Sequence, residues 1–123
     1  SHVETGILLG QIYFRRKEWA KLVNCYNKLK RYVSDEDKKN VIKVYGALGL
    51  AYFNQKKYEE AIEALNMGLQ ANPRDLSSSY HLALCYYSVG ETDKARQILE
   101  SLRKTLPADS QVLKNVIELL QRM

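Results

Sequence analysis

The feature that most constrains this chain is an internal repeat of 34 residues. The segment that starts at Tyr45 aligns with the segment that starts at Ser79, without gaps, to the proline that closes each of them. The pairs that keep the offset of 34 are Leu48 and Leu82, Tyr52 and Tyr86, Ala61 and Ala95, and Pro73 and Pro107. A fixed period of this length predicts an array of similar structural units that stack on one another.

A third, more divergent copy lies upstream and begins at Leu8. Its offset to the second copy is 39, which pairs Gly10 with Gly49, Tyr13 with Tyr52 and Trp19 with Tyr58. The five extra residues are most simply placed in the polar run 34–40, whose first residues favour helix N-caps. We interpret this run as an early start of the next helix and not as a linker between domains.

Each copy predicts two amphipathic helices joined by a short turn. Apolar residues recur at helical spacing on both sides of a polar break, which falls at residues 15–17, 54–57 and 88–91. Pro73 and Pro107 follow the second helices and stop them. Thr92 and Asp93 are suited to cap the helix that begins near them. A last amphipathic stretch from residue 109 to residue 122 predicts one unpaired helix.

Composition excludes several classes of protein. Hydrophobic residues make up 46% and charged residues 27% of the 123 residues, which is typical of one globular domain and not of a disordered chain. No stretch approaches the roughly 18 apolar residues of a membrane span, and the first residues lack the core of a signal peptide. Cys25 and Cys85 have no partner at CxxC spacing. We therefore expect reduced thiols, no metal site and a cytoplasmic location.

Small residues at equivalent positions indicate how closely the helices pack. A helix pair of this size cannot bury its own apolar face, so neighbouring pairs must stack. The first helices share Gly10, Gly49 and Ala83, and the second helices share Ala61 and Ala95. A short side chain lets two helix backbones approach to the near end of the ~8–10 Å range. We expect the repeated tyrosines to fill the space beside this contact.

Taken together, these positions resemble the tetratricopeptide repeat (TPR) signature. That signature places a large residue, Leu-Gly, Tyr, Ala and Pro at fixed points in 34 residues, and the second copy supplies Tyr45, Leu48-Gly49, Tyr52, Ala61 and Pro73. The first copy departs from it with Leu22 in place of Ala and Ser34 in place of Pro. The resemblance implies an all-α superhelix, or solenoid, of three TPR helix hairpins and a C-terminal capping helix.

One TPR domain is therefore expected over residues 3–123. Its predicted parts are repeat 1 at about 3–36, repeat 2 at about 42–75, repeat 3 at about 76–109 and the capping helix at about 110–122. In TPR proteins the first helices of successive repeats line a concave groove that binds a peptide or a helix. The resemblance and the offsets place in that groove Ile7, Gln11, Phe14, Arg15, Leu50, Phe53, Asn54, Tyr80, His81, Leu84 and Tyr87.

The predicted groove is mainly apolar and aromatic, so something has to cover it. Two occupants stay open at this point: a hydrophobic peptide or helix of a partner, and the protein's own neighbouring helices or tail. One known form of TPR binding is not expected. The clamp that holds the acidic C-terminal tail of a chaperone would need cations, but its places are taken by Ile7, Gln11, Ala47, Ser77 and His81.

His81 has two open interpretations of its own. A histidine side chain can change its charge in the physiological pH range, so partner binding would be pH-dependent if His81 touched the partner. Alternatively, it hydrogen-bonds a neighbouring group or solvent and has no functional role.

Positive charge is concentrated near the first repeat. The net charge is +5, and residues 15–43 hold ten Lys or Arg against four Asp or Glu. The candidate basic patch consists of Arg15, Arg16, Lys17, Lys21, Lys28, Lys30 and Arg31. Such a cluster attracts nucleic acid or anionic membrane, although no aromatic residues are interleaved for base stacking. A solvated helix face and an acidic protein partner are the competing interpretations.

No motif of catalysis or cofactor binding is recognisable. The sequence lacks a glycine-rich phosphate loop, an HExxH motif and a nucleophile elbow. We expect a non-enzymatic scaffold or adaptor, without catalytic residues or cofactors, that binds an apolar peptide or helix of another protein. Electrostatic binding to nucleic acid or anionic membrane through residues 15–43 is the alternative. Self-association through the groove or the capping helix is a third interpretation.

Overall fold

The computed structural model describes residues 2–31, 34 and 41–123, which form helices and turns and contain no β-strand. The α-helices are α1 (His2–Arg15), α2 (Trp19–Arg31), α3 (Tyr45–Asn54), α4 (Tyr58–Ala71), α5 (Leu76–Ser88), α6 (Thr92–Thr105) and α7 (Gln111–Arg122). A short 3-10 helix (Ile42–Val44) leads into α3. Apart from Ser34, the run 34–40 that we interpret as an early helix start lies outside the described residues.

Every hairpin turns through one residue with a left-handed backbone. Lys17, Lys56 and Gly90 have φ angles of 57°, 63° and 87°. In each turn the amide of this residue donates to the carbonyl oxygen three residues earlier, at 3.0 to 3.2 Å. The next amide donates to the carbonyl oxygen five residues before it, at 2.9 Å in all three turns. These two bonds form a Schellman motif, so the same backbone turn recurs although its central residue differs.

The helices pack against one another in chain order, so that each second helix lies between two first helices. Three clusters of buried side chains fill the successive junctions. The first contains Leu22, Tyr26, Leu48 and Ala51; the next contains Ala61, Leu65, Leu82 and Cys85; the last contains Ala83, Leu99, Leu102, Val116 and Leu119. Because Val116 and Leu119 belong to α7, this helix covers the apolar face of the third hairpin.

Glycines occur where two helices of one hairpin approach most closely. A β-carbon at Gly49 would lie 2.6 Å from Cγ of Leu65 and 3.1 Å from its backbone nitrogen. A β-carbon at Gly10 would overlap the ring of Tyr26. A small residue is therefore required at this position of the first helix before the second helix can pack against it.

A repeated side-chain hydrogen bond ties successive hairpins together. Nδ2 of Asn27 in α2 donates to the hydroxyl of Tyr52 in α3 at 3.0 Å. Nδ2 of Asn66 in α4 donates to the hydroxyl of Tyr86 in α5 at 3.3 Å. The repeated tyrosines therefore fix the junction through a polar contact as well as by filling space.

The residue that caps each helix N-terminus is determined by the turn that precedes the helix. Asp75 caps α5 by accepting a hydrogen bond from the Ser78 amide at 3.2 Å, and Ser110 caps α7 in the same way through the Leu113 amide. The prediction that Thr92 and Asp93 cap α6 is wrong. The preceding Schellman motif ends at Glu91, which therefore occupies the N-cap position, and its side chain makes no capping bond.

Candidate binding groove

The predicted groove residues lie on the three first helices α1, α3 and α5 and differ in exposure. Those that are half-buried are Ile7, Phe14, Leu50, Phe53, Tyr80, His81 and Leu84. Those that are exposed are Gln11, Arg15, Asn54 and Tyr87. Because the apolar members are mostly half-buried, each presents part of its side chain to solvent and part to the helices beneath it.

A recess joins the three first helices. Its volume is about 240 Å³, and its lining combines predicted groove residues with polar groups of the α5 N-terminus. The lining residues are Phe14, Gly46, Ala47, Leu50, Leu65, Asp75, Ser77, Ser78 and His81. The structure thus brings Phe14, Leu50 and His81 to one cavity, whereas the other predicted groove residues lie outside its lining.

Two of the predicted aromatic anchors also pack within their own hairpin. The ring of Phe14 meets the ring of Trp19 edge-on at 5.6 Å, and the ring of Phe53 meets that of Tyr58 at 6.0 Å. The residue at the matching place in the third hairpin is Thr92, which has no ring. Tyr87 therefore lacks a comparable contact and is 39% exposed. Of the three equivalent residues Phe14, Phe53 and Tyr87, Tyr87 is the one most available to a ligand.

Tyr80 belongs partly to the junction with α7. It packs against the last core cluster, and burial raises the pKa of its phenol. The nearby carboxylate of Glu118 on α7 acts in the same direction on this pKa. Tyr80 thus forms the end of the groove where the capping helix begins.

His81 is held in place by neighbours on both sides of its ring. Its Nδ1 atom lies 2.7 Å from the carbonyl oxygen of Ser77, and its ring centre lies 5.1 Å from that of Phe53. A carbonyl oxygen only accepts hydrogen bonds, so Nδ1 carries the proton. The hydrogen bond to a neighbouring group, one of the two interpretations of His81, is therefore present in the structure, and Nε2 is the atom left for a ligand.

Asp75 is the charged residue of the recess that the sequence analysis missed. Its Oδ1 atom accepts the Ser78 amide, and its Oδ2 atom accepts the Ser78 hydroxyl at 2.7 Å. An aspartate two residues after a helix-ending proline is a typical N-cap, and this signal would have placed it at the start of α5. Asp75 therefore adds a carboxylate to a recess that also contains Ala47, Ser77 and His81, three of the places that correspond to a carboxylate clamp.

All seven residues of the predicted basic patch are exposed. Nζ of Lys21 lies 3.8 Å from a carboxylate oxygen of Glu18, and Nζ of Lys30 lies 5.2 Å from the ring centre of Tyr45. The aromatic residues of the same helix face inward, since Tyr26 is only 2% exposed. Within the described part of this surface, charge is thus presented without an exposed ring for base stacking.

Two further observations concern the described residues as a whole. None of their helices combines the length and the apolar character that crossing a bilayer requires. They also contain no group of three or more His, Cys, Asp or Glu residues placed to bind a metal ion.

Comparison with known proteins places these features in a family. The model of the family described as tetratricopeptide repeat matches residues 52–115, which is more than half of the chain. The intraflagellar transport protein 88 homolog of Homo sapiens is 25% identical over 100 residues, covering 79% of this chain and 12% of that protein. Lipopolysaccharide assembly protein B of Escherichia coli K12 is 25% identical over 113 residues, covering 92% of this chain and 28% of that protein. The chain thus spans less than a third of either relative.

Solved structures share the architecture at lower sequence identity. The Hsp90 co-chaperone Cns1 of Saccharomyces cerevisiae superposes with a TM-score of 0.80 at 16% identity, covering 98% of this chain and 38% of that one. The TPR2B domain of yeast Sti1, solved in complex with pHsp70, superposes with a TM-score of 0.74 at 19% identity, covering 98% and 94%. The prediction of an all-α repeat solenoid is confirmed, and the chain belongs to the tetratricopeptide repeat family.

Proposed function

We propose that this chain is a protein–protein interaction module that holds an apolar peptide or helix of a partner in its groove. The observation that carries the proposal is the recess shared by α1, α3 and α5, whose wall contains Phe14 and Leu50. Tyr87, the residue of α5 that is equivalent to Phe14, is exposed outside this recess. Two structural neighbours support the proposal: the TPR2B domain of Sti1 was solved in complex with pHsp70, and PcrH was solved in complex with the chaperone binding region of PopD.

The charge of the recess restricts the ligand. A ligand carboxylate would meet Asp75 and no lysine or arginine among the lining residues. Like charges at short range oppose binding, and a carboxylate needs a cationic partner to be desolvated. We therefore propose a neutral or cationic apolar segment, and not the acidic tail of a chaperone, as the ligand.

The same proposal includes a role, a location and a division into repeats. They are a scaffold or adaptor role without catalysis, a cytoplasmic location, and the division into repeats at about 3–36, 42–75 and 76–109 with a capping helix at about 110–122. Nucleic acid or anionic membrane as the ligand of residues 15–43 is supported by the exposed positive charge alone, and stacking of single-stranded bases is disfavoured because the aromatic residues of α2 pack inward.

Peptide display followed by fluorescence anisotropy tests the proposal. We expect the purified chain to select peptides rich in large apolar residues and poor in acidic ones. Tyr87→Ala and Ser77→Trp, which fills the recess from an exposed position, should weaken a selected peptide by about tenfold or more, or roughly 1.4 kcal/mol. Ile117→Ala is the matched control, because Ile117 is also 39% exposed but lies on α7. Equal affinity of both groove variants and the parent would refute the groove as the site.

A further inference from the structure

The outer side of the first hairpin carries apolar residues, and two of them, Leu9 and Ile12, are exposed although their counterparts at both internal junctions are buried. We call this surface, formed by Leu9, Ile12 and Tyr13 of α1 and by Cys25 and Leu29 of α2, the outer face. Leu9 is 40% exposed and Ile12 is 44% exposed. Their counterparts at the two internal junctions are nearly inaccessible: Leu48 0%, Ala51 0%, Leu82 5% and Cys85 0%.

Tyr13 marks the same surface through its hydroxyl. At both internal junctions the corresponding tyrosine accepts a hydrogen bond from an asparagine of the preceding second helix, as Tyr52 does from Asn27 and Tyr86 from Asn66. Among the described residues, no hydrogen bond to the Tyr13 hydroxyl is found. The outer face therefore has the tyrosine of the repeated bond and lacks its asparagine.

The α2 residues of the outer face also resemble residues that lie at the internal junctions between hairpins. A recess of about 450 Å³ lies between α1 and α2 and is lined in part by Leu9, Tyr13, Cys25 and Leu29. In the third hairpin the counterpart of Cys25 is Ile98, which packs against the core cluster of the preceding junction. Cys25 thus lines this recess at a position that contacts the previous hairpin elsewhere in the chain.

We propose that the outer face receives the second helix of one further helical hairpin, which precedes α1 in the same polypeptide and carries an asparagine for Tyr13. The two internal junctions of this chain are the template for it. At both junctions, the first helix of a hairpin packs against the hairpin that immediately precedes it in the sequence. The connection between them is short, since only residues 72–75 join α4 to α5. A short connection of this kind gives the preceding hairpin a high effective concentration at the face.

A second copy of the chain does not offer the required helix. The asparagines of α2 and α4 already donate to Tyr52 and Tyr86. In the remaining second helix, α6, Glu100 stands at the asparagine position and bonds to Arg103. The surface of α6 is covered by α7, where Leu120 stands in place of the tyrosine.

The proposal is tested by supplying the missing hairpin. Residues 42–75 placed directly before Val3 add a hairpin with Asn66 in register, because Val3 corresponds to Leu76, which follows Asp75 in the chain. Native-state amide exchange is then compared between the parent and the extended protein. We expect the amides of α1 around Leu9 and Ile12 to exchange about tenfold more slowly, or slower still, in the extended protein.

Two variants of the extended protein serve as controls. Leu9→Asp with Ile12→Asp should abolish the slowing, and both residues are exposed enough in the parent for the substitutions to leave its fold intact. Asn66→Ala in the added copy alone should remove part of the slowing of α1 exchange, because it deletes the asparagine that would donate to Tyr13. Unchanged α1 exchange on extension overturns the proposal, as does slowing that survives the two aspartates.

Light scattering of the parent over a concentration series provides the remaining arm. We expect a monomer. A dimer that the double aspartate variant abolishes would identify a second copy as the occupant and would overturn the proposal. Peptide binding in the groove is independent of each of these outcomes, so failure here and failure of the proposed function are distinguishable.

Discussion

Two kinds of residue occupy the same left-handed position in the three hairpin turns. A β-carbon in this conformation costs roughly 1–2 kcal/mol, whereas glycine adopts it freely. Gly90 therefore fits the third turn without strain, and Lys17 and Lys56 hold the same backbone at a cost. The two backbone hydrogen bonds of the turn persist in all three cases and outweigh that cost.

Replacing a left-handed lysine by glycine should stabilise the fold. For Lys56→Gly we expect the free energy of unfolding to rise by about 0.5–1 kcal/mol, because relief of the left-handed strain exceeds the entropy that glycine adds to the unfolded chain. Urea unfolding followed by circular dichroism measures the change. Gly90→Lys should change stability with the opposite sign, and a gain there would contradict the argument.

Buried Tyr26 makes stability depend on alkaline pH. Burial raises its phenol pKa from 10.0 to about 12, and the Cys25 thiolate adds to the shift. Above pH 10 the unfolded chain loses a proton that the folded chain keeps, so stability falls between about pH 10 and 12 by up to about 1.4 kcal/mol per pH unit. Below pH 10 both states keep this proton, and the contribution is intact.

Tyr26→Phe isolates this effect. We expect the variant to lose stability less steeply with pH than the parent between about pH 10 and 12, and to keep the parent's pH dependence below that window. Cys85, whose pKa is raised to about 11 by burial, contributes equally to both proteins and cancels from the comparison. Urea unfolding at several alkaline pH values measures the two slopes. Identical slopes would rule out Tyr26 as the titrating group.

At the scale of helices, one position in α3 determines how closely α4 packs. We expect Gly49→Ala to lower the free energy of unfolding by about 1–3 kcal/mol, because the new methyl group meets the Leu65 side chain and its backbone nitrogen. Gly46→Ala is the control in the same helix, since a β-carbon there would be 3.4 Å from Oγ of Ser78. It should be neutral or gain up to about 1 kcal/mol from helix propensity. Urea unfolding of both variants decides the point.

Helix number and pairing were predictable from the sequence, and the turns between the helices were not. Apolar residues at helical spacing on both sides of a polar break indicate two helices per copy, and the offsets align Gly10 with Gly49 at the close contact between them. The left-handed position is undetectable in the first two turns, because a lysine stands where a glycine would signal it. The cap of α6 was assigned to Thr92 and Asp93 from their side-chain types, whereas the turn around Gly90 fixes Glu91 as N-cap through backbone hydrogen bonds that no side chain indicates.

At the scale of the whole molecule, the offsets predict which residues face the groove but not how much of each is free. Phe14 and Phe53 are equivalent to Tyr87, yet each packs edge-on against a ring of its own hairpin. That difference depends on Trp19, Tyr58 and Thr92, five residues further along each copy. Asp75 enters the recess through the capping geometry of α5, which a comparison of first-helix positions does not include.

The bond between asparagine and tyrosine gives the array a direction. Each junction joins two different surfaces, a second helix that donates and a first helix that accepts, so the contact is heterologous and would by itself propagate without end. At Glu100 and Leu120 the donor and the acceptor are both replaced by residues that cannot form this bond. This bond therefore distinguishes the two junctions between hairpins from the contact of α7, which packs on the third hairpin through apolar side chains such as Val116 and Leu119.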